Sequence, residues 1–446
     1  MVVGYNVGVQ RMIGRLVAVL GMLLVALVPV STPPAAHAAT LPPIGHVFII
    51  ILENKNYADT FGVDSPAPYL AKTLVSQGQL IRNYYAIGHL SLPNYIAMLS
   101  GQAPNPQTQS DCQFFTEFVG PPVLDPVNGQ AVGDGCVYPA NVKTIADQLT
   151  GKGLSWKGYM EDMGTPCRHP ALNGRDDTQS AMATSQYAAR HNPFVYFHSI
   201  IDSPACAAND VDLGQLTTDL ASAATTPNFA FITPDLCSDG HDAVCADGRA
   251  GGYTGIDNFL KEWVPRITSS PAFKQDGLLL VGFDEAEADQ NDPQHADASA
   301  CCGEIPGPNS PLPGIFGLGG GKTGMMALSP WVQPGSVNDT PYNHYSLLRS
   351  LEDLFGVPHL GFAAASGLVP FGDDVFNGPG PAGVAGSGSG STTGGGTSGA
   401  GGSVAGNNSS RGDLAATGGV HPWLAPGLGV LLLACAFAAR RIAARR

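Results

Sequence analysis

The chain has 446 residues, of which 44% are hydrophobic and only 13% charged, about half the ~25% usual for a soluble domain. Lys and Arg number 22 against 36 Asp and Glu, a formal net charge of −14. That balance excludes a nucleic-acid binder working through a basic field, and the many apolar segments exclude a disordered chain. An acidic protein handling an anionic ligand needs local positive charge, and a bound divalent cation is the direct source.

In chain order, residues 1–38 read as a secretory signal. Arg11 and Arg15 precede the apolar run Leu16 to Val30, and Ala36-His37-Ala38 fits a small-x-small cleavage site. A membrane anchor fits less well, because the run is short and Pro29, Pro33 and Pro34 follow it. Residues 39–376 form the expected folded domain. Its apolar runs His46–Leu52, Phe229–Thr233, Leu278–Phe283 and Met325–Ser329 predict buried strands; the first and third are nearly continuous in aliphatic residues, as parallel strands covered on both faces are. Helical patterns fall at Ala67–Gln77, Ile96–Leu99, Val142–Leu149, Leu213–Ala221, Gly255–Ile267 and Tyr345–Leu354. The alternation predicts an α/β fold with a mainly parallel central sheet flanked by helices. Two long Gly/Pro-rich loops, 101–140 and 286–322, suit a lid or a binding role.

Residues 377–413 are a Gly/Ser-rich linker without the apolar content to order itself. Residues 414–446 begin Leu414-Ala415-Ala416-Thr417-Gly418, continue through the apolar stretch Trp423 to Ala439, and end in Arg440-Arg441 and Arg445-Arg446. This order resembles a sortase sorting signal of the L-A-x-T-G type, which implies cleavage after Thr417 and linkage to peptidoglycan. A plain C-terminal membrane helix held by its arginines is the alternative. Both place the folded domain outside the cell. Eight cysteines precede the tail residue Cys435, an even number in an exported region, so up to four disulfides are expected. The pairing stays open. Cys237 and Cys245 are near enough to close a short loop, whereas adjacent Cys301 and Cys302 are expected to take distant partners rather than each other. No C-x-x-C pair supports a zinc site instead.

Polar residues recur where the strands end, which is where open α/β sheets bind ligands. Glu53-Asn54 follow the first run, Asp235 and Ser238-Asp239-Gly240-His241-Asp242 the second, and Asp284-Glu285 the third. Carboxylates, an amide oxygen and imidazole are ligands for a divalent cation, and crowded carboxylates repel unless one is present. In Gly88-His89-Leu90-Ser91-Leu92-Pro93-Asn94-Tyr95, Ser91 fits a helix N-cap and Pro93 the first turn. A serine oxygen there faces free backbone N–H groups and the positive end of the helix dipole, so it suits an activated nucleophile beside a phosphoryl group.

Six segments in order carry a family resemblance: HVFIIILENKNYADTFG (46–62), GHLSLPNY (88–95), RHNPFVYFHSI (190–200), ITPDLCSDGHD (232–242), FDE (283–285) and NHYSLLRSLEDLFG (343–356). Together the chain resembles the phosphoesterase family of bacterial non-specific phospholipases C and related acid phosphatases, within the alkaline-phosphatase-like superfamily. The resemblance implies a divalent cation and ester hydrolysis through a phosphorylated hydroxyl. It implies Glu53, Asn54, Asp284 and Glu285 as metal ligands, and Ser91 as the nucleophile, also touching metal. It implies His89, His241 and His344 as phosphate-binding or acid–base groups. Asp235 and Asp239 have the i, i+4 spacing of a second metal site, though His usually stands where this chain has Asp239. His191 and Asn192 are expected only to fix a loop before Pro193. Asn56-Tyr57 stand where the phospholipase branch more often shows Ser-Phe, which points away from a phospholipid.

The expected function is therefore a surface-anchored, metal-dependent phosphoric ester hydrolase acting on a phosphate ester or phospholipid. The alternatives are a phosphodiesterase acting on wall polymers and a non-enzymatic surface interaction protein. A sulfatase is disfavoured, because Tyr95 stands where the sulfatase maturation motif requires Arg. Gly317–Thr323 resembles a P-loop, but Phe316 occupies the position of its first Gly, so a loop entering a strand is expected there.

Overall fold

The computed structural model describes residues 41–287, 296–304 and 306–381; the signal, most of the linker and the sorting segment lie outside the described residues. Ile49-Ile50-Ile51 sit at the middle of β1 (His46–Leu52), whose seven residues are all buried. β-branched side chains suit a strand covered on both faces. Its alternate residues go to opposite cores: Val47, Ile49 and Ile51 pack on one side of the sheet, Phe48, Ile50 and Leu52 on the other.

Nine further strands follow in chain order: β2 (Gln79–Ile81), β3 (Tyr84–Tyr85), β4 (Trp156–Met160), β5 (Asp210–Asp212), β6 (Phe229–Thr233), β7 (Gly277–Phe283), β8 (Met325–Leu328), β9 (Ser336–Asn338) and β10 (Tyr342–Asn343). Eight form one sheet in the order β5-β4-β6-β1-β7-β8-β2-β9, and β3 pairs with β10 separately. β1 lies at the centre, parallel to β6 and β7, and β4 and β5 continue the parallel run. β8 runs antiparallel to both its neighbours, β7 and β2.

On one face lie α1 (Ser91–Ser100), α2 (Ile145–Lys152) and α4 (His344–Phe355); on the other lies α3 (Gly252–Ser269). α2 starts in a capping box between Thr144 and Asp147, and the Asn343 side chain caps α4 by accepting from the Ser346 N–H. The expected α/β architecture is thus the one found. The segment expected to be one helix over Ala67–Gln77 is a six-residue π-helix, Tyr69–Leu74, running into a single α-turn, Val75–Gln77. No described helix is long and apolar enough to cross a membrane.

Four disulfides form: Cys112–Cys136, Cys167–Cys206, Cys237–Cys245 and Cys301–Cys302. The last corrects the expectation that Cys301 and Cys302 take distant partners. The other six cysteines are consumed in pairs by their own loops, which leaves these two to each other.

α1 ends on Gly101 at φ 67°, where an added Cβ would lie 2.3 Å from the Leu360 carbonyl oxygen. The left-handed conformation and the close backbone both demand glycine. Gly101→Ala is expected to cost about 2–4 kcal/mol, read as a fall in denaturant midpoint at unchanged slope.

Candidate active site

The register of the sheet assembles the acids. Leu52 pairs with Phe283, so Glu53 and Asp284 leave adjacent strands side by side. The Asp284 N–H donates to the Leu52 carbonyl at 2.9 Å, and the Asn54 N–H donates to Asp284 Oδ1 at 3.1 Å. Asn54 holds φ 56°, a turn that Asn tolerates better than most residues. From the end of β6 comes Asp239, whose carbonyl accepts from the Glu53 N–H at 2.9 Å. Glu285 follows Asp284 and is held by a hydrogen bond with His89 Nδ1.

Ser91 reaches this group from the start of α1. The turn before it is strained: Leu90 has φ 66° and ψ 145°, sparsely populated for a branched residue. Asn94 braces the turn, accepting from the Ile87 and Gly88 N–H groups at 3.1 Å each and donating to the Gly88 and Leu90 carbonyls. Ser91 is the first helical residue rather than the N-cap. Its hydroxyl donates to Glu53 Oε2 at 2.9 Å, and the Tyr95 hydroxyl, one turn on, donates to Glu53 Oε1 at 2.5 Å. The helix N-terminus is not free as the sequence suggested, because the Leu92 N–H donates to Asp111 Oδ1 at 3.0 Å.

Glu53, Asp239, Asp284 and Glu285 are all buried. Burial, then the charges of Asp284 and Asp239, push the Glu53 carboxyl well above its usual range. Burial also raises Asp239 and Glu285, and takes Asp284 to about 7. Four buried polar atoms here have no hydrogen-bond partner among the described residues: Asp239 Oδ2, Asp284 Oδ2 and both ring nitrogens of His191. Orphaned carboxylate oxygens and imidazole nitrogens are the donor set a divalent cation takes, so these residues fit one. Glu53, His191 and Asp239 each offer a ligand atom within 4.8 Å of the others.

Other expected residues are placed differently. Asp235 does not join Asp239. One of its oxygens accepts from the Cys237 and Ser238 N–H groups and the other from Arg249 at 3.1 Å, so both serve the loop and an ion pair. His344 was expected on the phosphate or in proton transfer. Instead its Nε2 lies 2.6 Å from the Asp284 carbonyl and its Nδ1 2.9 Å from the Tyr84 hydroxyl, so it positions the strand end. Burial lowers its pKa to about 4. His89 is committed in the same way, to Glu285 and to the Asp297 carbonyl, and burial likewise lowers it to about 4. His241 alone of the three stands at the opening. Its Nδ1 faces Asp242, and its Nε2 lies 3.2 Å from a nitrogen of the buried Arg190 guanidinium.

A cavity of about 230 Å³ lies here, lined by Asn54, Leu90, Ser91, Asp111, His241, Glu285 and Glu287. A larger, more apolar cavity of about 510 Å³ lies by Cys302, Glu304, Phe362 and Leu368 and touches none of the candidate residues. We take the smaller one as the site, because it holds the reactive groups. Sequence reading missed His191, Arg190 and Asp111 as site residues. Arg190 was visible only as a member of a matching segment, His191 was read as fixing a loop, and nothing marked Asp111. Asn192 does fix its loop as expected, capping the Phe194 N–H and donating to Asp210 at 2.8 Å.

The model of the phosphoesterase family matches residues 64–358, so Glu53 and Asn54 precede the matched segment. A probable acid phosphatase of Kluyveromyces lactis is 28% identical over 314 residues, 70% of this chain. The chain spans only 59% of that relative's length. A phosphatidylinositol-3-phosphatase of Mycobacterium tuberculosis is 24% identical over 356 residues, covering 78% of this chain and 91% of the relative. Among solved structures, a protein of the alkaline phosphatase superfamily from Vibrio parahaemolyticus aligns over 72% of this chain and 68% of its own, at 14% identity and TM-score 0.41.

Proposed function

This chain belongs to the phosphoesterase family, and from that membership we propose that it is a metal-dependent hydrolase of phosphate monoesters, working through a phosphoserine at Ser91. The observation that carries the reading is the Ser91 hydroxyl, on the cavity wall and donating to Glu53 at 2.9 Å. The cavity is below the ~300 Å³ at which sites enclose whole small molecules, so it suits a phosphoryl group whose alcohol stays outside.

In the first half-reaction Ser91 Oγ attacks phosphorus. The Oγ–P bond forms, the ester P–O bond breaks, and the hydroxyl proton moves along the hydrogen bond to Glu53 Oε2 and out to the departing alkoxide through solvent at the mouth. In the second, water attacks the phosphoserine, one water proton returns through Glu53 to Ser91 Oγ, and phosphate leaves. A divalent cation held by Glu53, Asn54, Asp284 and Glu285 would lower the pKa of the serine hydroxyl and offset the charge of the phosphoryl oxygens. The strained Leu90 turn presents Oγ, Tyr95 fixes the Glu53 carboxylate, and His344 and His89 hold Asp284 and Glu285 in place.

Arg190 is a buried cation directly behind two residues of the cavity wall, with its guanidinium 3.2 Å from His241 Nε2 and 3.8 Å from Asp111 Oδ2. Arg190→Met is expected to lower kcat/KM about 10- to 100-fold, mostly through KM, in steady-state assays. The direct test of the function is p-nitrophenyl phosphate turnover before and after chelation. Turnover should be lost with chelator and restored by added divalent cations; turnover that ignores chelator refutes the reading.

A lipid phosphate monoester is the second reading, favoured by the relative covered over 91% of its length, a phosphatidylinositol-3-phosphatase. Phosphate release from vesicles containing phosphatidylinositol 3-phosphate, set against p-nitrophenyl phosphate, separates the two. The four disulfides support a place outside the cytoplasm. The pattern of residues 1–38 supports export, and Leu414–Gly418 with its apolar tail supports anchoring to peptidoglycan or membrane.

A further inference from the structure

The apolar cavity of about 510 Å³ by Cys302 and Phe362 has no part in the chemistry above. Its size falls within the ~300–1,000 Å³ of sites that enclose small molecules. Tyr345 and Phe362 meet edge to face on its wall, 5.4 Å between ring centroids, and Leu368 joins them; all three are buried. The walls are tied in place without a ligand. The Phe362 N–H donates to the Gly101 carbonyl at 2.8 Å, and the Gln102 side chain donates to the Gly129 carbonyl at 2.9 Å and accepts from the Ala131 N–H at 2.7 Å. Glu304 is the one charged residue on the lining, and no basic residue accompanies it there. The Asn343 amide donates to Glu304 Oε2 at 3.2 Å, and no Lys, Arg or His pairs with the carboxyl among the described residues. Burial lifts this carboxyl well above its usual range. An acid set in an apolar wall without a cation costs stability, and such a group facing a cavity points to a ligand.

We propose that this cavity binds a small organic amine, its ammonium on the Glu304 carboxylate and its apolar body against Tyr345, Phe362 and Leu368. The amine supplies what the wall lacks. An ammonium offsets the buried charge and donates to the carboxylate oxygen that Asn343 leaves open. Where the empty cavity holds Glu304 as the neutral acid, its proton passes to solvent as the ammonium binds. A neutral alcohol can donate but cannot offset charge, and an anionic ligand would add a second like charge. A bare calcium ion does not suit the wall, because one carboxylate and one amide fall well short of the about six to eight oxygens it takes. The cavity and the catalytic site share no lining residue. They share supports instead: Asn343 precedes His344, which holds the Asp284 carbonyl, and Glu304 lies on the loop whose Asp297 carbonyl faces His89. A bound amine therefore does not compete with the phosphate ester.

Calorimetric titration of the full chain tests this, with divalent cation and inorganic phosphate in excess so that the catalytic cavity is filled. The probes are phenethylamine, cyclohexylmethylamine and hexylamine, each set against the alcohol of the same body. At least one amine should bind about 10-fold or more tighter than its alcohol, the margin a charge-assisted hydrogen bond gives. Glu304→Gln should bring that amine down to the affinity of its alcohol. Ala365→Trp, at an exposed position on the lining, should abolish binding of both. Melting temperatures show that the two variants fold, and the titration needs no turnover, so a chain inactive on phosphate esters still decides the amine site. The absence of saturable binding by every amine up to ~10 mM overturns the proposal. So does a preference over the alcohol that survives Glu304→Gln or Ala365→Trp, and so does an amine that raises KM for p-nitrophenyl phosphate, which places it in the catalytic cavity.

Discussion

Ser91→Ala is expected to lower phosphate monoester turnover about 10³-fold or more, with KM little changed. The substitution removes one oxygen and nothing else. The Ser91 hydroxyl makes a single hydrogen bond, to Glu53, and that carboxylate keeps Tyr95. The Asn94 brace that shapes the turn is untouched. Stability should therefore change by less than about 1 kcal/mol, so a fall in turnover reports chemistry rather than unfolding. Both kinetic constants and the melting temperature should be measured on the same preparation. Turnover within tenfold of wild type rules Ser91 out as the nucleophile.

Asp284→Asn is expected to lower turnover about 100- to 1000-fold while stabilising the metal-free protein. Asp284 is wholly buried beside Glu53 and Asp239, and its Oδ2 is an orphaned acceptor. An asparagine keeps Oδ1 to accept from the Asn54 N–H and places an amide N–H₂ where the orphaned oxygen stood. That change removes one of several buried like charges and supplies a donor to those that remain. The gain in chelator should be about 1–3 kcal/mol, or roughly 1–2 °C per kcal/mol for a domain of this size. The same variant should gain less from added divalent cation than wild type does, because it has lost a ligand charge. Calorimetric melts with chelator and with excess cation check both signs. A lower melting temperature in chelator contradicts the account of a strained acid cluster. The pattern is the familiar opposition of site and fold: the cluster costs stability because it serves a ligand.

How far the sequence could be read follows from what fixes each element. β1 and β6 were legible to the residue and β7 to within one, because each is a continuous apolar run feeding two cores. β4 and β5 were not. Lys157 at one strand, and Asp210 and Asp212 at the other, break the apolar signal, and their place in the sheet comes from pairing with β6 and with each other. The direction of β8 was equally hidden, since Met325–Leu328 reads alike in either sense. Within the site, Glu53 and Asp284 were legible because they directly follow strands that pair in register. His191 and Asp111 come from irregular segments. One is placed by the Asn192 bond to Asp210, the other by a loop tied through Cys112–Cys136, and neither tie is local in sequence. His89 and His344 show the converse error: their place beside the site was visible, but not that both nitrogens of each are committed to holding it together.

The most direct measurement is on the enzyme caught in turnover. Protein mixed with a phosphate monoester, quenched in acid within milliseconds and digested, should yield the peptide carrying Ser91 with one added phosphoryl group, absent from the unreacted control and from Ser91→Ala. Full turnover with no phosphorylated Ser91, or with the phosphoryl group on another side chain, contradicts the account.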